Sequence, residues 1–471
     1  MKLLKNVLVS LFLVGSFGYL GYFFYQYSIN PCDKGLKYSI GVFDNQFNVS
    51  EEYFKKYVAE SEVVWEKALG RNIFVYEPEA DFKINLIYDQ RQLETVQKQK
   101  TEFGLSAIED VFKKLDVDFG VFKDKYDSLN DYLKGFSYTT QIMNDALSME
   151  RVAYELVYDN FNEGVRYIEV RFAPQLHIRK GFSFEEIMTS VDNGLRKAQN
   201  EINSHLNSDE PNFSYGIIVC AMRFCNEYFS EYYRDFFEIH KYSTIEEKIK
   251  LASLELVKAT VQLRDKTDIK IVGFDIAGSE YGYPASNHTD SYNFAHNNFI
   301  HKTVHAGEAY GPESIFLAIT KCHADRIGHG LFLFDENKIY DENIKDKQKY
   351  IRDLTNYIAD RRITIEVCLT SNLQTTPELT DIKQHSLGKM LQNNISISLC
   401  TDNRLVSDTT VCNEIKLAVA NFNINNDMLR NIIVYGFKRS FYYGSYSEKR
   451  KYVRKCIDYY DKISKLYNYN T

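Results

Sequence analysis

His305, Glu308, His329 and Asp402 are the side chains whose types and spacing suit metal binding and acid/base work. They lie in three short runs: KTVHAGE (302–308), DRIGHG (325–330) and SLCTDN (398–403), the last led in by Ile395 and Ile397. Each run opens apolar or β-branched and closes on a polar cluster. A strand that delivers reactive groups into a pocket at its C-terminal end has this pattern. Imidazoles and carboxylates are the ligands of a catalytic zinc, which keeps an open position and lowers the pKa of bound water to about 7. Taken singly, the residues have plainer readings: Asp402 as a helix N-cap, His305 and Glu308 as a surface pair. His329 between two glycines is harder to explain by packing.

The elements that must position them alternate. Tyr167–Phe172 is a near-continuous β-rich run, as a strand covered on both faces should be. SYGIIVCAMRF (214–224) and IKIVGFDIAG (269–278) continue the series, followed by the runs at TVHAGE, RIGH, ITIEVC and ISISLCT. Helical patterns intervene at 149–165, 182–204 and 245–263. This order predicts a parallel α/β architecture with seven strands from Tyr167 onward.

HAGE, RIGHG and a strand ending in Thr-Asp resemble the adenosine deaminase family, including its secreted growth-factor-like branch. VRYIEVRFAP (165–174), VGFDIAGSE (272–280) and IEVCLTSN (365–372) extend the resemblance over residues 125–440, in the family's order. It implies a (β/α)8 TIM barrel of the metal-dependent hydrolase type, with one further strand upstream of Tyr167. It also implies zinc, and conversion of adenosine to inosine and ammonia. On the same ground His305 and Asp402 are metal ligands, and Glu308 is the acid at N1 of the purine. His329 orients the water. Gly278 offers its N–H to N3, and Asn403 meets the purine edge.

The departures matter as much. The family's first strand ends in His-x-His, two zinc ligands. Here the first histidine of the chain is His177. The best-placed upstream run, FKINLIYDQ (82–90), puts Ile87 and Asp89 at those positions, with Asp89 as a candidate third ligand. Asn403 stands where the family has Asp, and Leu369 where Pro is usual. A catalytic zinc normally has three protein ligands, so weakened or absent zinc is expected. A His/Asp/Asp set would also be oxygen-rich and less selective for zinc. Three readings follow: an adenosine or deoxyadenosine deaminase with an altered metal site, a non-catalytic purine-nucleoside binder, or another amidohydrolase on the same barrel. His177 is the one histidine that could join the site in the first. Retention of the AGSE block argues against the third.

The rest of the chain sets bounds. Lys2 and Lys5 precede an apolar run over 7–25, near the lower limit of a membrane span of about 17–25 residues. It predicts a signal peptide or signal-anchor, and so an exported protein: periplasmic, cell-surface or secreted, with membrane attachment through 7–25 if the segment is kept. Residues 33–101 predict a small α+β extension with a helix over 50–69 and strands at 72–77 and 82–89, the last a candidate first barrel strand. The barrel is placed at 102–447 and a Lys/Tyr-rich helix at 448–471. Net charge is −7 with no basic patch, which excludes a nucleic-acid binder. The eight cysteines contain no C-x-x-C pair, which argues against a cysteine zinc site. Oligomeric state is not legible.

Overall fold

The structure is a computed structural model that describes residues 35–43, 50–69, 72, 74–86 and 125–467. The segment 7–25 and Asp89 lie outside the described residues. The chain divides into two units, Met1–Leu115 and Asp116–Thr471.

In the first unit a helix, Glu51–Leu69, accompanies three short strands: β1 (Leu36–Phe43), β2 (Phe74–Tyr76) and β3 (Phe82–Leu86). They pair in parallel in the order β2-β1-β3. The run FKINL, considered above for a barrel, thus bonds to β1 in this small sheet.

The second unit carries all seven expected strands: β4 (Tyr167–Phe172), β5 (Ser214–Met222), β6 (Ile271–Ala277), β7 (His301–Ala306), β8 (Arg326–His329), β9 (Thr364–Val367) and β10 (Ile397–Leu399). They form one parallel sheet in sequence order, and β4 and β10 end it among the described residues. Helices start where the local signals say they should. Ser183 and Glu186 make a reciprocal cap for Phe184–His205, as Thr244 and Glu247 do for Ile245–Lys266. Their apolar faces cover strands whose residues are almost wholly buried from β5 to β9.

Ion pairs across the sheet prove its curl. Arg171 of β4 lies 2.7 Å from Glu366 of β9, five strands away. In a flat sheet those strands would stand roughly 24 Å apart, at about 4.8 Å per strand. The interior therefore closes on itself, as in a (β/α)8 barrel. It is lined by alternating charge instead of layered aliphatic side chains. Glu169 pairs with Arg326, Arg326 lies 2.7 Å from Glu366, Glu366 pairs with Arg171, and Arg171 lies 3.1 Å from Asp275. Burial opposes the charge on Glu366, but the two arginines hold its pKa down at about 2. This ladder ends at His305, 2.9 Å from Asp275.

Candidate active site

The C-terminal ends of β6, β7, β8 and β10 meet at one mouth. His305 is the penultimate residue of β7, His329 the last of β8, and Asp402 follows β10 by three residues. Their ligand atoms lie within 4.8 Å of one another. The imidazole of His305 and the carboxylate of Asp402 are donors that a divalent cation takes, and His329 stands beside them. Asp275 faces Nδ1 of His305, with the ring N–H out of line for a hydrogen bond. That leaves Nε2 as the ligand atom, with a carboxylate behind the imidazole as in many metal sites. Burial works against protonation of His305, yet Asp275 raises its pKa.

Glu308 sits 3.8 Å from His329 Nε2. Burial pushes its pKa up, against the pull of His329 and with the help of Asp402. A carboxyl whose pKa is raised is better suited to donate a proton. The loop that carries it is fixed by Glu280, 1 % exposed, whose carboxylate accepts the backbone N–H groups of Gly307, Glu308, Ala309 and Tyr310 and the hydroxyl of Ser314. Burial opposes this charge too, but Arg223, Ser314 and the N–H groups lower its pKa. Arg223, fully buried, donates to the carbonyls of Tyr283 and His305 and so ties β5 to the site.

His329 and Asp402 hold φ of +66° and +55°. Left-handed backbone is uncommon away from glycine and recurs at functional sites. Gly278 has φ +103°, and a Cβ there would stand 3.3 Å from Met222 Cε. On the far side, Ser371 donates to Asp402 at 2.8 Å. Asn403 donates to the hydroxyl of Tyr132 at 2.8 Å, and that hydroxyl lies 2.9 Å from Ser407. A cavity of about 390 Å³ opens beside Glu308, lined by Leu129, Ser279, Tyr281, Phe332 and Lys338 among others. Its size suits a small-molecule ligand.

Four of the expected residues, His305, Glu308, His329 and Asp402, thus come together, with Gly278 and Asn403 at adjoining strand ends. His177 does not join them: its ring lies 2.9 Å from the carbonyl of Met143, and burial lowers its pKa. Sequence reasoning passed over Asp275, Glu280, Arg223, Asn372 and Tyr132. Asp275 was findable, since an acid inside an apolar strand needs a buried partner.

A parallel barrel with a metal-capable cluster at the strand ends defines the metal-dependent hydrolase class. The adenosine deaminase family model matches residues 104–247 and 239–459. Adenosine deaminase 1 of Streptomyces coelicolor is 32% identical over 316 residues, 67% of this chain and 70% of that one. Adenosine deaminase of Mycobacterium ulcerans is 33% identical over 315 residues, covering 67% and 76%. The chain belongs to the adenosine deaminase family. Among solved structures, the Arabidopsis N6-mAMP deaminase aligns with TM-score 0.55 at 22% identity, over 78% of this chain and 92% of that one. An amidohydrolase from Burkholderia ambifaria, solved with bound Zn, aligns with TM-score 0.56 at 16% identity over 80% and 88%. Both likenesses are of fold.

Proposed function

We propose that the pocket takes a purine nucleoside, adenosine or deoxyadenosine, and is built for its hydrolytic deamination to inosine or deoxyinosine. The observation that carries this reading is the buried pair Glu308 and His329 beside His305 and Asp402. A solved Arabidopsis relative in complex with IMP supports a purine ligand. Glu308 donates the proton that N1 needs as C6 becomes tetrahedral. His329 orients the attacking water. The Gly278 N–H faces N3, and the remaining N–H of Asn403 is left for the purine edge. His305 and Asp402 would hold a divalent cation, zinc in the solved amidohydrolase relative, which when bound supplies an acidified water. Two protein ligands hold it less tightly than the usual three. Turnover therefore depends on added metal.

The assay is inosine formation by purified protein, with and without added zinc, alongside metal analysis. Zinc-dependent turnover that Glu308→Gln lowers by about 10²–10⁴-fold supports the assignment; turnover untouched by Glu308→Gln refutes it. A second reading, a nucleoside binder without catalysis, draws on the lack of any histidine before His177. Micromolar adenosine binding with no inosine at saturating zinc selects that reading. Export through the apolar run at 7–25, as a signal peptide or a signal-anchor, belongs to the same proposal, and fractionation of cells expressing the full chain tests it.

A further inference from the structure

A row of buried polar groups runs from the backbone to His329, and the roles assigned above leave most of it unused. It starts at the N–H of Leu387, which lies 3.0 Å from Nδ1 of His385. A backbone N–H can only donate, so that Nδ1 accepts and carries no proton. His385 is 2 % exposed, and burial lowers its pKa to about 3, so the ring is neutral at neutral pH. Its single proton must then be on Nε2, which lies 3.1 Å from Oδ1 of Asn372. The amide of Asn372 cannot be reversed without setting one N–H against another. Its Nδ2 therefore faces His329, 3.1 Å from Nδ1. That Nδ1 accepts in turn, and the proton of a neutral His329 sits on Nε2, the nitrogen that faces Glu308 at 3.8 Å.

We propose that Asn372 and His385 are positioning residues that lock His329 as its Nε2–H tautomer, which makes His329 a hydrogen-bond donor into the pocket and removes it from the metal-ligand set. Each link follows from the one before, and the first is a backbone donor with no alternative. Asn372 is fully buried and His329 2 % exposed, so water does not substitute for the missing partner if a link is cut. The consequence is concrete. A protonated nitrogen has no lone pair for a cation. Of the three clustered residues, only His305 and Asp402 then remain as ligands, and His329 serves the water or the developing oxyanion. The catalytic meaning rests on the deamination reading, but the tautomer does not, and its test uses no turnover.

The test is NMR of full-length protein carrying ¹⁵N-labelled histidine, without metal, at neutral pH. Protonated and unprotonated ring nitrogens resonate far apart, and the His329 signals are assigned by their loss in His329→Gln. The expected result is a protonated Nε2 and an accepting Nδ1 in the wild type. Asn372→Asp replaces the donor with an acceptor of the same shape, and the proton should move to Nδ1. His385→Leu, which cuts the row one link earlier, should leave His329 as a mixture of tautomers and serves if the first variant does not fold. A wild-type His329 protonated at Nδ1 overturns the proposal. So does a folded Asn372→Asp or His385→Leu in which His329 keeps the Nε2–H form alone. Zinc titration gives an independent check: His329→Ala should shift zinc affinity less than twofold, whereas His305→Ala should weaken it more than tenfold. Equal losses in the two variants also overturn the proposal.

Discussion

The two sides of the mouth are built differently. On the β6–β8 side, Glu308 and His329 are buried, and each is backed by a second buried group, Glu280 for one and Asn372 for the other. On the β10 side, Asp402 is exposed, with a bond from Ser371. The strands follow suit. β5 to β9 are almost fully buried, whereas β4 is half-buried along its whole length and β10 over its last two residues. The β6–β8 side, which includes His305 with Asp275 behind it, is thus preorganised, and the β10 side, which supplies Asp402, is not. Functional groups are held best by a rigid supporting shell, so the contrast marks where a substitution should disturb the structure most.

Substitutions should expose that contrast. The largest effect is expected at Glu280. Glu280→Ala strands four buried or half-buried backbone N–H groups and the Ser314 hydroxyl, and should cost about 3–5 kcal/mol in denaturant unfolding, since each unsatisfied buried donor costs about 1–3 kcal/mol. A loss below about 1 kcal/mol would show that water fills the gap and that the loop is not anchored as described.

Acid should weaken the buried side next. His288 and His385 are held neutral by burial, with pKa near 3 in each case. Unfolded histidine has pKa about 6.5. Above that value neither state binds the proton, so stability is complete. Below it only the unfolded chain does, and stability falls by about 1.4 kcal/mol per pH unit for each residue until the folded pKa is reached. Melting curves from pH 7 to 5 should show this slope, and His385→Gln should remove its share. An unchanged slope in that variant would contradict a buried neutral His385.

Tyr132→Phe deletes a hydroxyl shared by Asn403 and Ser407 and should cost about 1 kcal/mol, the worth of an ordinary hydrogen bond. The smallest change is expected from Asp402→Asn, exposed on the open lip: within about 0.5 kcal/mol in stability, yet with a clear loss of zinc binding by calorimetry. A large stability loss there would erase the difference between the two sides.

What the chain's order of residues determined alone was the family, the seven strands after Tyr167, and the clustering of His305, Glu308, His329 and Asp402. Those features are local: a β-rich run, a glycine turn and a reactive side chain sit side by side in sequence. The absence of any histidine before His177 was equally plain, and it limits the metal site whatever the fold. Only the tertiary structure decided which buried groups stand behind those residues. Asp275 meets His305 across neighbouring strands, and Arg171 meets Glu366 because the sheet curls. Asn372 turns His329 because the end of β8 and the helix that follows β9 converge. Such contacts depend on distances between segments far apart in sequence, which no periodicity records. The use of FKINL in a small sheet beside β1 was decided there too, since a short β-rich run does not name its partner.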